Sequence, residues 1–98
     1  MYVIVHHQLT DPPTAFARGE QLIKGEGAPA GVRVLQFFPG RDGSMVTCLW
    51  ETPSVSAVQG YVDATLGDAS DNQCYEVDAD QAFARPASGI SAEPTVPA

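Results

Sequence analysis

Basic residues are scarce in this sequence. Five Lys and Arg stand against twelve Asp and Glu, a formal net charge of −7. Beyond residue 50 the only basic side chain is Arg85, while Glu51, Asp63, Asp68, Asp71, Glu76, Asp78, Asp80 and Glu93 are all acidic. Nucleic-acid binding draws on Lys and Arg contacts to phosphate, so this balance argues against it, and against an anionic membrane surface. The acidity itself needs no partner, because net charge keeps a small protein soluble.

Cysteine and long apolar runs are equally short. Cys48 and Cys74 alone do not make a disulfide framework, and a cytoplasmic, reducing location is the simplest expectation. No segment approaches the ~20 apolar residues that span a bilayer. Met1-Tyr2-Val3-Ile4-Val5 lacks a basic leader and reads as strand, so no signal peptide is expected there. The motifs that fix a reaction are missing as well. Gly40-x-x-Gly43 is a hairpin turn rather than a phosphate cradle, and there is no nucleophile elbow, CxxC or HExxH.

What is present suits one small domain. With 98 residues there is no room for a second core. Charged residues make up only 17%, which hints that a partner covers part of the surface. Residues 1–85 form the expected domain. Residues 86–98, where Pro86, Pro94 and Pro97 stand among Ala, Ser and Gly, form a tail that is either disordered or packed on a partner subunit.

Tyr2 to Leu9, rich in Val, Ile and Tyr, is the first expected strand. Thr10 or Asp11 then caps a helix that begins on proline, runs to about Lys24, and carries Phe16, Gly19 and Ile23 on its apolar stripe. Val32 to Phe38 and Met45 to Glu51 make a hairpin around the Gly-rich turn 39–44. Ser54 caps a second helix with Val55, Val58, Val62 and Leu66 on one face, and Gln73 to Val77 is a fourth strand after a polar loop. The order βαββαβ predicts an antiparallel sheet ordered 4-1-3-2 with both helices on one face. The other face has no cover within the chain, so it should meet a second copy or line a ligand cavity.

This layout, with the opening run Tyr2-Val3-Ile4-Val5-His6-His7, resembles the dimeric α+β-barrel proteins. In these proteins ferredoxin-like domains pack sheet to sheet, and they include antibiotic-biosynthesis-type monooxygenases and small isomerases. The run Cys48-Leu49-Trp50-Glu51-Thr52-Pro53-Ser54, followed by Ala57-Val58, also resembles a small ferredoxin-like family that contains a nickel-binding protein. The segment Val34-Leu35-Gln36-Phe37-Phe38 offers no histidine, so no metal ligand is carried over from that family. The resemblance implies a homodimer and leaves the chemistry open.

Adjacent strand residues point to opposite faces, so His6 and His7 cannot together chelate one ion. With Val3, Val5 and His7 toward the helices, Tyr2, Ile4, His6 and Gln8 take the uncovered side. His6 is then the candidate acid or base, the alternative being a hydrogen-bonded structural histidine. Trp50 closes either a core or a pocket, and Glu76 of the fourth strand meets His6 across the ladder if both face the uncovered side. The candidate ligand-binding set is therefore Tyr2, Ile4, His6, Trp50 and Glu76. No cofactor is expected, although a divalent metal would suit a His–carboxylate pair. Cys48 and Cys74, two strand spacings or about 10 Å apart, are not expected to bridge.

Three uses remain open at this point. One is a homodimer binding a small molecule or metal on the uncovered face. The second is a cofactor-independent monooxygenase, cyclase or isomerase for an aromatic or polyketide-like substrate. The third is a purely structural or regulatory dimer.

Overall fold

The strongest pattern in the chain is the alternation along β1 (Tyr2–Leu9), where Val3, Val5, His7 and Leu9 are buried and the residues between them are not. The computed structural model describes residues 1–84, so the proposed tail at 86–98 lies outside the described residues. After β1 come α1 (Pro12–Lys24), β2 (Arg33–Pro39), β3 (Met45–Glu51), α2 (Val55–Leu66), one 3-10 turn at Gly67–Ala69, and β4 (Ser70–Glu76). Four antiparallel strands and two helices give an α+β domain consistent with a ferredoxin-like fold.

Local chemistry sets the helix limits. Asp11 accepts from the Thr14 amide at 3.3 Å and from its hydroxyl at 2.8 Å, while Pro12 and Pro13 fill the first turn, where no amide donor is missed. Gly25 ends α1 at φ +74, a left-handed conformation that costs glycine little. Ser54 caps α2 by accepting from the Ala57 amide at 3.1 Å.

The strands lie in the order β2-β3-β1-β4, which read from the other edge is 4-1-3-2. The most buried core side chains, Val3, Val5, Trp50, Val58 and Val62, lie between the sheet and the helices. Cys48 and Cys74 both oppose Val5, one on each side of β1, and both are free thiols.

Two details depart from the sequence expectation. The fourth strand begins at Ser70 rather than Gln73, because Ser70, Asp71 and Asn72 extend the ladder opposite Leu9, Gln8 and His7. In β2 a bulge lies between Val34, opposite Trp50, and Gln36, opposite Leu49. The extra residue, Leu35, resets the alternation, so Phe37 joins Val34 on the helix side while Gln36 and Phe38 turn to the other face.

Candidate functional site

Pairing registers arrange the uncovered face in rows. One row holds Gln36, Leu49, Ile4 and Tyr75; the next holds Phe38, Thr47, His6 and Gln73. Tyr2, Phe38, Met45 and Tyr75 are among the exposed large apolar side chains, and all four lie on this face. Charge is confined to its margins. Arg33 and Glu51 pair at 2.8 Å at one end, and Asp71 stands at the opposite corner of β4. At the centre the His6 Nδ1 lies 3.0 Å from the Thr47 hydroxyl, and the ring is 5.9 Å from that of Tyr75.

Three of the five residues expected to form one site do share this face: Tyr2, Ile4 and His6. Trp50 does not. It opposes Val3 and Val34 on the helix side and is 1% exposed, packed edge-on against Tyr61 with ring centres 6.1 Å apart. Glu76 does not either, because the register sets it opposite Val3, whereas His6 opposes Gln73. The parity of the β1–β4 ladder therefore rules out the expected His6–Glu76 pair. Among the described residues no three His, Cys, Asp or Glu side chains converge in a way that would hold a metal ion.

The sequence reading gave too little weight to His7, which shares the buried parity of Val3 and Val5. His7 is 3% exposed, and its Nδ1 lies 2.6 Å from the Asn72 Oδ1. Asn72 donates its amide hydrogen to Asp63 Oδ1 at 2.9 Å, so its oxygen faces the imidazole, and Nδ1 must be the donor. Ser70 donates to the same oxygen at 2.8 Å, and Gln59 holds Asp63 from α2. Burial drives the His7 pKa below 6.5 and keeps the ring neutral; the Asn72 bond and Asp63 oppose that shift, and nearby His6 adds to it.

His7 also forms part of the wall of a cavity between α1 and the sheet, beside Phe16, Gly19, Phe37, Cys48 and Trp50. It is small, about 40 Å³. Burial pushes the Cys48 thiol up to about 12, so it stays protonated and unreactive at neutral pH. Cys74, raised by burial and by Asp63 to about 11, is no better a nucleophile. The Trp50 Nε1–H is the one buried side-chain nitrogen or oxygen among the described residues without a hydrogen-bond partner. Such an orphan typically costs about 1–3 kcal/mol.

No protein-family model, curated protein or solved structure matches the chain.

Proposed function

We propose that the chain acts as a homodimer joined through its open sheet faces, and that a small organic molecule is held at the centre of that interface, by His6, Thr47 and Tyr75. The carrying observation is a broad sheet face that exposes Tyr2, Phe38, Met45 and Tyr75 and on which, among the described residues, the charged side chains Arg33, Glu51 and Asp71 stand at the margins. On a chain of net charge −7, that depletion is the compositional mark of an interface core. Four strands ~4.8 Å apart and seven or eight residues long cover roughly 20 by 23 Å. Two such faces bury on the order of 1,000 Å², just below the standard range of stable interfaces and in that of a weak dimer. A ring-bearing ligand fits the central cluster, where His6 and Thr47, with Gln73 beside them, offer polar groups next to Ile4, Leu49, Phe38 and Tyr75.

Sedimentation velocity on the full chain tests the reading. At ~50 µM, well above the micromolar range typical of a weak dimer, the chain should sediment as a dimer, and Leu49→Arg, in the middle of the face, should sediment as a monomer. The dye 1-anilinonaphthalene-8-sulfonate should fluoresce with the dimer, less with His6→Ala, and not with Leu49→Arg. A wild-type chain that stays monomeric at that concentration overturns the proposal, and dye binding unchanged in His6→Ala removes the histidine from it.

A further inference from the structure

The open face is a grid of strands and rows. Its first row holds Arg33, Glu51 and Tyr2, its last holds Met45, Gln8 and Asp71, and the rows of Ile4 and His6 lie between. One diagonal takes a residue from every strand and every row: Arg33 of β2, Leu49 of β3, His6 of β1 and Asp71 of β4. Its two ends carry opposite charges. Arg33 gives its Nε–H to Glu51 at 2.8 Å, and neither of its Nη groups has a partner among the described residues. The exposed Asp71 carboxylate has no ion pair among the described residues.

We propose that in the homodimer described above, on which this inference rests, the two-fold axis crosses that diagonal at its midpoint and at right angles, so that Arg33 of each copy binds Asp71 of the partner subunit. Faces that meet front to front are related by an axis in the interface plane, and such an axis acts on the face as a mirror line. Reversing the diagonal sets Arg33 over the partner's Asp71 and His6 over the partner's Leu49, and repeats both contacts at the other end. The free Nη groups of Arg33 reach the second carboxylate while its Nε stays on Glu51. Three strand spacings and the six-residue rise from Tyr2 to Gln8 place Arg33 and Asp71 roughly 25 Å apart in one chain, on a line about 35° from the strands. The reversal therefore crosses the strands of the two sheets at about 70°, nearer to orthogonal than to aligned packing. Aligned sheets would instead carry Asp71 over the partner's turn at 39–44, which holds Arg41, and would set Arg33 over the end of the partner's β4, where the apolar Val77 follows the strand beside Tyr2.

Charge exchange tests this, read as the dimer dissociation constant from sedimentation of the full chain. Asp71→Arg and Arg33→Glu should each weaken the dimer roughly tenfold, because each sets like charges against one another at both ends. The two together should return it to within about threefold of wild type, and ~0.5 M salt should remove the differences. Both side chains are exposed, so each variant should keep the wild-type urea transition. Asp71→Asn and Arg33→Gln, which remove charge without reversing it, should weaken the dimer less, by about threefold. Arg41→Glu should fail to rescue Asp71→Arg. A wild-type dimer indifferent to both reversals, a double exchange that does not recover, or rescue by Arg41→Glu overturns this pairing and leaves the dimer standing. A wild-type chain that stays monomeric removes both.

Discussion

The two faces of the sheet are made from alternate residues of the same four strands and end in opposite states. On one, Val3, Val5, Val46 and Trp50 are sealed beneath the helices; on the other, Ile4 and Leu49 are half-buried and Tyr2, Phe38 and Tyr75 are exposed. The open face also carries Gln8, Gln36, Thr47 and Gln73, but its apolar side chains differ from those of the covered face chiefly in cover. Because burial of apolar area is the main favourable term in folding, the uncovered face holds stabilisation that the single chain leaves unused.

Adjacent substitutions in one strand give the sharpest test of that difference. Val5→Asp places a carboxylate among fully buried side chains without a partner and should cost more than about 4 kcal/mol, enough to remove a cooperative urea transition. Ile4→Asp, one residue away, should change monomer stability by about 1 kcal/mol or less. It should also weaken self-association by roughly thirtyfold or more, as read by sedimentation. If the two variants unfold alike, the faces are not different in the way proposed.

His7 makes the covered face sensitive to pH. Its folded pKa is depressed from 6.5, mainly by burial, so the unfolded chain takes up its proton first. The stability tied to the neutral ring is therefore complete above about pH 6.5 and is lost as pH falls below it toward the folded value, with a slope of at most about 1.4 kcal/mol per pH unit. Urea titrations between pH 7.0 and 5.5 should show this decline. His7→Gln, which cannot titrate, should flatten it. An equal decline in the variant would assign the pH response to other groups.

Much of the fold was legible because the signals were local. Val3, Val5, His7 and Leu9 announced their face by parity; Asp11 with Pro12 and Pro13, and Ser54, announced the helix starts. The candidate site was legible only where parity along a single strand sufficed, as for Tyr2, Ile4 and His6. Pairing His6 with Glu76 required a register between strands far apart in sequence, and that register is set by how β4 docks on β1 rather than by either segment alone. The bulge at Leu35 was equally hidden. Unbroken alternation from Val34 would have placed Phe38, not Phe37, toward the helices, so Phe37 could not be assigned to the cavity wall in advance. Gly19 stood in the apolar stripe of α1 as a visible gap, but whether neighbours fill such a gap is a matter of packing.

That gap gives a smaller test of how completely the covered face is closed. Gly19→Ala adds a methyl group where it meets nothing within 4 Å and removes the entropic cost of a mid-helix glycine. It should stabilise the chain by roughly 0.5–1 kcal/mol in a urea titration. A destabilised variant would mean that α1 already lies against the sheet.

The smallest expected effect belongs to the open face. Arg33 and Glu51 pair at 2.8 Å, a good geometry, yet the arginine side chain is 69% exposed. At such exposure water and salt screen the attraction, and fixing two long side chains offsets much of what remains. Arg33→Ala should therefore change monomer stability by no more than about 0.5 kcal/mol in urea unfolding, with the difference gone in ~0.5 M salt. Edge strand β2 would then be held by its ladder to β3 and by Val34 and Phe37 on the helix side, with the ion pair trimming the charge at one end of the open face. A loss several times larger, persisting in salt, would show instead that the open face carries structural weight in the single chain, and the contrast between the two faces would narrow accordingly.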